Sequence, residues 1–415
     1  MRRKHRWFAL CIAATVLVVA TLVVTEANAT SPAPVDVATA DNTFGFRLLT
    51  AVQKKTPTGN VVLSPVSAAL DLAMVLNGAT GETQQQMLAA LSLSGSDTAA
   101  INAANAQLIK VIRTPASSVT LSVADSLWVD NRRATLRPEY VKLTKEGYDA
   151  EINALDFSDP GAAARINTWA SQQTQGRIPK VIDRIDPAEL ALLLNAVYFK
   201  GQWTHKFDKA QTQQRDFTLA SGTVKQVARM AQSGHFDYFE TPALQAIRLP
   251  FGTGDLTMEI LLPAKSSSLG ALEAELTSEH WAAWRRQYTS RSGRIELPRF
   301  ELKSSYSLKE SLQTLGMVRA FHANGPEAAQ LTDMLVPTTG HADHFYISSV
   351  LQSTYWKVDE EGSEAAAVTT IGVRAALMRP EQPFQMIVDR PFFCAIEDRR
   401  SGALLFVGAI YDPTA

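Results

Sequence analysis

The chain has 415 residues, of which 46% are hydrophobic and 20% are charged, and its formal net charge is −1. This composition is ordinary for a globular protein and excludes a disordered or low-complexity chain. Without residues 1–29 the balance is 36 basic against 40 acidic residues, so no basic excess indicates a nucleic-acid partner. The length alone favours two or three domains, although no linker is apparent after residue 40.

The first 29 residues have the pattern of an export signal. A basic stretch at residues 2–6 precedes 18 uncharged, mostly apolar residues at 7–24. Ala27, Asn28 and Ala29 then form a small-x-small cleavage site, which predicts a signal peptide over residues 1–29. An uncleaved membrane anchor is the alternative, because 18 apolar residues are barely enough to span a bilayer. We therefore expect a secreted protein, extracellular or periplasmic, without a stable membrane partner if the signal is cleaved.

Helical and strand patterns alternate irregularly along the rest of the chain. In order, they predict helices at 41–52, 64–74 and 80–91, a strand at 119–129, a helix at 165–173, a strand at 190–199, two strands within 246–262, a helix at 307–317, and strands at 384–388, 392–397 and 403–409. The continuous apolar run at 190–199 is typical of a strand buried on both faces. Because no strand–helix–strand rhythm repeats, an α+β fold is favoured over a doubly wound sheet.

Residues 357–374 carry the pattern most relevant to function. In an extended strand, Ser363, Ala365, Ala367 and Thr369 share one face, which is therefore lined by small side chains. Such a segment could slide into a sheet from one end without a steric barrier. An alanine-rich surface loop or a helix start at Ser363 are the alternatives, although the β-branched residues at 368–371 argue against a long helix.

Sequence motifs of common enzymes are missing. The chain contains no G-x-S-x-G elbow, no H-E-x-x-H and no Walker A loop. His341 and His344 would meet only on a helix, and no third ligand has diagnostic spacing, so no metal site is predicted. Asp125 and the other acids form no recognisable catalytic pair. Cys394, the one cysteine outside the signal, lies in an apolar run and is predicted to be a buried, inert thiol.

Seven stretches of the chain are specific when taken together and in order. They are residues 60–70, 76–83, 194–203, 248–251 with 260–263, 298–300 with 315–317, 358–367, and 389–393 with 405–408. Together they resemble the serpin family over essentially the whole mature chain. The resemblance implies an α+β serpin fold, with three β-sheets, about nine helices and an exposed reactive-centre loop. It also implies one domain at 30–415, which overrides the expectation from length.

The resemblance further implies a suicide inhibitor of serine proteases and not an enzyme. The target protease cleaves the loop at about 360–383, forms an acyl-enzyme, and is trapped when the loop inserts into the main sheet. A covalent complex with the target protease, a monomeric inhibitor and no cofactor are expected. Lysine and arginine are scattered without a stripe, so no glycosaminoglycan cofactor is predicted.

The family pattern assigns roles to individual positions. The hinge comprises Glu360, Gly362, Ser363, Glu364, Ala365, Ala366 and Ala367. Counting from Glu360 places the cleaved bond at Ala376–Leu377, within one to three residues. These small or medium apolar residues suit an elastase-, chymotrypsin- or subtilisin-like target, while Arg374 and Arg379 leave trypsin-like cleavage open.

Five further positions match the family's shutter and breach, behind the main sheet and at the loop's entry point. They are Ser64, Ser67, Asn195, Trp203 and Gln352. Serpins commonly have histidine where this chain has Gln352. Glutamine also donates and accepts hydrogen bonds, so the polar cluster could persist without the pH dependence of histidine; neutral drift is an equal alternative. The rival functions are a non-inhibitory serpin (a chaperone or carrier), an inhibitor of papain-like cysteine proteases, and a secreted hydrolase.

Overall fold

The structure, a computed structural model, describes residues 35–114, 119–338, 345–362 and 382–414. In these ranges the chain forms nine α-helices: α1 Val37–Gln53, α2 Pro65–Leu76, α3 Gly81–Ala90, α4 Thr98–Ile112, α5 Pro138–Tyr148, α6 Ala162–Gln173, α7 Leu269–Ala274, α8 Ser278–Arg285 and α9 Lys309–Thr314. The described strands are β1 Val61–Leu63, β2 Val119–Asp130, β3 Ala134–Leu136, β4 Glu151–Leu155, β5 Ala191–Gly201, β6 Gln213–Thr218, β7 Val224–Glu240, β8 Leu244–Phe251, β9 Leu256–Pro263, β10 Thr289–Pro298, β11 Phe300–Ser307, β12 Leu335–Pro337, β13 Ser349–Val358, β14 Phe384–Ile387, β15 Phe392–Asp398 and β16 Leu404–Ile410.

Three sheets organise the described strands, as the predicted α+β class requires. A five-stranded sheet has the order β11-β13-β5-β2-β4, and a nine-stranded sheet has the order β1-β16-β15-β9-β8-β7-β10-β14 with β6 paired to β7. Strands β3 and β12 form a separate pair. In the five-stranded sheet β13 runs parallel to β5, and β2 runs parallel to β4, while the other pairs are antiparallel.

Helix α2 lies between the two large sheets and is buried along its whole length. It packs against β2 and β5 on one side and β16 on the other, and all twelve of its residues are buried. Pro65 occupies the first helical turn, where its missing N–H removes no intrahelical bond. An apolar helix of this kind is stable only inside a core.

Strand β5 is covered on both faces, as its continuous apolar run predicts. Leu193, Val197 and Phe199 belong to the main core, on the side of α2. The alternate residues Leu192, Leu194, Ala196 and Tyr198 belong to a second core, with Ile166 and Trp169 of α6. Asn195 shares the face of Leu193 and Val197 by period-two alternation, which directs a polar side chain toward α2.

Most predicted elements lie within a few residues of their expected bounds. The helix predicted at 307–317 is shorter, because residues up to Ser307 pair with β13 in strand β11 and α9 covers Lys309–Thr314. The prediction has no counterpart for helices α4, α5, α7 and α8, or for strands β3, β4, β6, β7, β10, β11 and β12. Strand β7 shows no regular alternation of buried and exposed residues, so its pairing partners rather than its own periodicity define it.

The predicted signal peptide and the segment 363–381 lie outside the described residues, as do His341 and His344. Val35–Ala415 forms a compact unit. Among the helices within the described ranges, none has the length and apolar character needed to span a bilayer. Cys394 is fully buried, and burial raises the pKa of its thiol, which confirms the prediction of a buried residue.

Candidate functional site

The hinge begins where β13 ends, and its first residues are bound to the loop that follows β5. The backbone N–H of Phe207 donates to the carbonyl oxygen of Glu360 at 3.0 Å, and that of Trp203 donates to Glu361 at 3.2 Å. The indole nitrogen of Trp203 also donates to the carbonyl oxygen of Asp359 at 2.8 Å. Trp203 is itself held by stacking on Phe251, with ring centroids 4.3 Å apart and planes 13° apart. Trp203 therefore lies at the start of the hinge, where the family pattern predicts it.

Gly362 closes this contact because no side chain fits at its position. Its φ is +81°, in the left-handed region that favours glycine. A Cβ atom built here would overlap the backbone oxygen of Gly201 and the backbone nitrogen of Trp203. Since both neighbours are backbone atoms, neither can move aside by rotating a side chain. The glycine thus allows the hinge to lie directly against the end of β5.

Glu360 of the hinge and its neighbour Glu361 are held by different partners. Glu360 is 4% exposed; the Thr212 hydroxyl donates to its Oε1 at 2.6 Å, and Arg299 Nη1 lies 3.5 Å from the same oxygen. Glu361 binds Lys209 Nζ at 2.7 Å and Lys206 Nζ at 2.9 Å. The hydrogen bonds from Lys209 and Lys206 lower the pKa of Glu361 to about 2. The hinge is therefore anchored by charge pairs as well as by backbone bonds.

The shutter, defined here by Ser64, Ser67, Asn195 and Gln352, forms one buried hydrogen-bond network. Gln352 Nε2 donates to Asn195 Oδ1 at 3.0 Å and to the Ser64 carbonyl oxygen at 3.0 Å. Its Oε1 accepts from the backbone N–H of Ser64 at 2.9 Å. Asn195 Nδ2 donates to Ser67 Oγ. The expected polar cluster is thus present in the structure, with Gln352 at its centre.

Ser64 takes part differently from the other three shutter residues. Its backbone N–H and carbonyl groups bind Gln352, while its buried hydroxyl makes no hydrogen bond. Gln352 is the register partner of Asn195 across the parallel strands β13 and β5. The shutter therefore joins the two central strands of the sheet to each other and to helix α2.

Sequence reasoning missed several residues of this site. The partners of Glu360 and Glu361 come from parts of the chain far from the hinge, and no linear pattern marks them. They are Thr212, Arg299, Lys206 and Lys209. Asp125 was noted only as lacking a catalytic partner, yet its Oδ1 accepts from Ser67 Oγ at 2.8 Å and also from Asn195. A signal was available, because Asp125 interrupts the alternate apolar positions Leu121, Val123 and Leu127.

Part of the predicted hinge and the predicted cleaved bond lie outside the described residues. These positions are Ser363, Glu364, Ala365, Ala366 and Ala367 of the hinge, and the bond Ala376–Leu377. Their assignments remain predictions. Among the described residues, no group of three or more histidine, cysteine, aspartate or glutamate side chains has the geometry to hold a metal ion.

Comparison with known proteins identifies the family. A family model for serpins (serine protease inhibitors) matches residues 39–413. The chain belongs to the serpin family. It is 33% identical to an uncharacterized serpin-like protein of Thermococcus kodakarensis, over 91% of this chain and 86% of that protein. It is also 33% identical to the leukocyte elastase inhibitor of Bos taurus, over 90% of this chain and 98% of that inhibitor.

A solved serpin structure has the same fold. The thermophilic serpin tengpin, in its native state, superimposes with a TM-score of 0.81 and 27% sequence identity, over 90% of this chain and 94% of tengpin. The serpin fold predicted from the sequence is therefore confirmed. As a family, serpins are protease inhibitors rather than enzymes, and a target protease is the partner that membership implies.

Proposed function

We propose that this serpin is an active, single-use inhibitor of serine proteases that traps its target by inserting its cleaved loop into the five-stranded sheet. One observation carries the proposal: β13 leads directly into the hinge and pairs in parallel with β5. A loop that folds back beside β13 runs antiparallel to it. Inserted between β13 and β5, it replaces one parallel pair by two antiparallel pairs, which are slightly more stable per residue.

The small residues at hinge positions 363, 365, 367 and 369 support insertion rather than simple cleavage. The 14 residues from Ser363 to Ala376, at roughly 3.4 Å each, span about 50 Å as a strand. A protease attached to the end of that strand as an acyl-enzyme is carried the same distance. At about 0.5–1.5 kcal/mol for each new ladder hydrogen bond, a dozen bonds supply on the order of 10 kcal/mol, comparable to the stability of a protease domain at roughly 5–15 kcal/mol.

Trapping follows from the geometry that deacylation requires. Hydrolysis of the acyl-enzyme needs the catalytic triad and the oxyanion hole in close register. Pulling the acylated serine away from these groups stops the reaction before water releases the inhibitor. The serpin is consumed in the process and performs no turnover of its own, so we propose that it is not an enzyme and acts as a monomer in a covalent one-to-one complex.

We propose an elastase-, chymotrypsin- or subtilisin-like target. The apolar residues around Ala376–Leu377 fit a small or hydrophobic primary pocket. The relative in Bos taurus that is 33% identical to this chain is named a leukocyte elastase inhibitor, which supports the same class. We also propose that residues 1–29 direct export and that the mature protein is secreted. N-terminal sequencing of the protein recovered from its source should begin near Thr30, and a sequence beginning at Met1 would contradict cleavage.

The decisive experiment incubates the mature protein with pancreatic elastase, chymotrypsin, trypsin, subtilisin and papain, followed by denaturing gels and intact mass. A complex that survives SDS with one of the four serine proteases supports the proposal. Cleavage at Ala376–Leu377 releases a 39-residue fragment, Leu377 to Ala415, whose mass identifies the bond. Clean cleavage with each protease still active favours a carrier or chaperone, and an adduct with papain alone favours a cysteine-protease inhibitor.

A further inference from the structure

Asp125 ties the shutter to the middle of the sheet through a carboxylate. It lies on β2 at 6% exposure, and its Oδ1 accepts hydrogen bonds from Ser67 of α2 and Asn195 of β5. Asn195 is in turn bound to Gln352 on β13. Any movement that parts β5 from β13 therefore acts on the network that surrounds Asp125.

Charged groups approach Asp125 from the elements packed around it. Helix α2 contributes Asp71, the end of α4 contributes Arg113, α5 and its C-cap contribute Lys145 and Asp149, and β4 contributes Glu151. Strand β5 and helix α6 contribute the neutral side chains of Asn195, Trp169 and Gln173. A cavity of ≈ 730 Å³ is lined by Asp125 and by residues of β2, β4, α5 and α6. Asp125 lines this cavity but is only 6% exposed, so its carboxylate is covered by protein while the sheet is closed.

The two buried acids of this region differ in their hydrogen bonds and in the causes of their pKa shifts. Burial raises the pKa of Asp125 to about 6, although the hydrogen bond from Ser67, the charge of Arg113 and the hydrogen bond from Asn195 oppose the rise. Asp71 is fully buried, and neither of its carboxylate oxygens has a hydrogen-bond partner. Burial and the charge of Asp125 raise the pKa of Asp71 well above its ordinary range. Asp125 therefore changes charge between pH 7.5 and pH 5, whereas Asp71 has no hydrogen bond to the shutter network.

We propose that Asp125 is a pH-dependent control of the shutter: its buried charge favours opening of the five-stranded sheet at neutral pH, and its protonation favours the closed sheet in mild acid. Opening of the strands around Asp125 admits water to the carboxylate. The closed state then binds the proton more tightly than the open state, so closure gains stability as the pH falls. The gain begins as the pH drops below about 6 and is complete below the ordinary aspartate pKa of about 3.9.

The test measures opening directly, on the uncut mature protein, by the rate at which a synthetic peptide with the sequence of residues 363–376 enters the sheet. With a pKa of about 6 in the closed state and about 3.9 in the open state, the wild-type rate should fall about tenfold from pH 7.5 to pH 5.0. The Asp125→Asn variant should insert the peptide slowly at both pH values, and its insertion rates at pH 7.5 and pH 5.0 should differ by less than about twofold. A wild-type rate that does not fall, or an Asp125→Asn variant that retains the tenfold fall, would overturn the proposal.

Two matched variants separate Asp125 from other acids. Asp71→Asn should retain the wild-type ratio of insertion rates, because Asp71 makes no hydrogen bond to the shutter network and is not among the groups that shift the pKa of Asp125. Burial also raises the pKa of Glu273 to about 7, so Glu273→Gln should change the pH dependence of global unfolding while leaving the peptide ratio unchanged. If the insertion rate of either variant does not fall from pH 7.5 to pH 5.0 as that of the wild type does, the assignment to Asp125 is contradicted.

Two readouts do not depend on loop insertion, and so distinguish this proposal from the proposed function. The thermal midpoint of the wild type should rise more from pH 7.5 to pH 5.0 than that of Asp125→Asn. If Asp125→Asn does not fold, infrared titration of wild-type protein with ¹³C-labelled aspartate carboxyl groups should show one buried carboxyl titrating near pH 6. Failure of the peptide to insert, with these two results intact, counts against the inhibitory mechanism alone; absence of both results overturns the role of Asp125.

Discussion

Gln352 Nε2 lies 3.0 Å from Asn195 Oδ1, and this hydrogen bond crosses between β13 and β5, the strands that the proposed loop insertion would part. The same glutamine binds the backbone of Ser64 on both its N–H and carbonyl groups. A single side chain thus joins the two central strands to the start of helix α2. Under the proposed mechanism this bond breaks during insertion, so it would stabilise the uncleaved state specifically.

Replacing Gln352 should therefore destabilise the native protein. Gln352→Ala leaves the buried N–H of Ser64 and the Oδ1 of Asn195 without this partner, and at about 1–3 kcal/mol for each unsatisfied group the loss should be about 2–6 kcal/mol. Urea unfolding measures the effect. Gln385→Ala, at an exposed glutamine, is the matched control and should change the stability by less than about 0.5 kcal/mol. Equal effects of the two substitutions would show that the hydrogen bonds of Gln352 do not stabilise the native state.

Gly362 should tolerate no side chain. Gly362→Ala places a methyl group against the backbone of Gly201 and Trp203 at a φ of +81°. The left-handed conformation alone costs about 1–2 kcal/mol for an alanine, and the backbone overlap should detach the hinge from the end of β5. We expect faster hydrogen exchange at the amides of Trp203 and Phe207, measured by mass spectrometry.

Gly222→Ala is the control for that prediction. Gly222 has a φ of +84° but nothing within 4 Å of the position of a Cβ, so it tests the conformational cost without the overlap. Its effect on exchange near Trp203 should be nil. If Gly362→Ala also leaves those amides protected, the close approach at Gly362 does not hold the hinge.

The ion pairs of Glu361 should slow release of the hinge. Exposed and half-exposed pairs are worth about 0.2–1 kcal/mol each, so Glu361→Gln should accelerate peptide insertion twofold to fivefold at low salt. Salt at about 1 M reduces the Debye length to 3 Å, and should accelerate the wild type toward the variant's rate. Glu310 on α9 forms an exposed ion pair with Lys55. The control Glu310→Gln removes this pair and should leave the rate of peptide insertion unchanged. A salt-independent wild-type rate would contradict this role for Glu361.

These ion pairs should not produce the pH dependence assigned to Asp125. The partners lower the pKa of Glu361 to about 2. A carboxylate with a depressed pKa contributes stability above its ordinary value of about 4.3 and loses it as the pH falls toward 2. Between pH 8 and pH 5 the Glu361 contribution is therefore constant, and Glu361→Gln should show the same ratio of insertion rates at pH 7.5 and pH 5.0 as the wild type.

In the proposed mechanism, the side chains on the inward face of the hinge decide whether cleavage of the loop leads to trapping of the protease. Ser363→Arg and Ala365→Pro each obstruct strand insertion, the first by bulk on the inward face and the second by removing a ladder donor. Both variants should be cleaved as substrates while the protease stays active, with the yield of SDS-stable complex greatly reduced. Glu364→Arg, on the opposite face, should retain complex formation. An undiminished yield with either inward variant would refute the hinge argument.

The local patterns of the chain were enough to predict much of the scaffold. Strand β5 and helix α2 are recognisable from their long apolar stretches, because each element is covered by protein on all sides. The motif at 358–367 and its neighbours along the chain were likewise sufficient to predict the serpin fold. Helices α4 and α5 have an amphipathic spacing that the prediction overlooked: Ile101, Leu108 and Ile112 are buried in α4, and every fourth residue from Tyr140 to Tyr148 is buried in α5. Strand β7 escaped prediction because it has no regular alternation of buried and exposed residues.

The amino-acid sequence by itself determined the family and the main buried elements, and it predicted roles for Asn195, Gln352 and the small residues of the hinge. Tertiary structure alone decided which charges meet at the hinge, because Arg299 and Lys209 approach Glu360 and Glu361 from distant parts of the chain. It also decided that Asp125 is buried against Ser67 and Asn195. Periodicity reports which face of an element is covered, whereas the pKa of a carboxyl depends on which groups from other elements cover it.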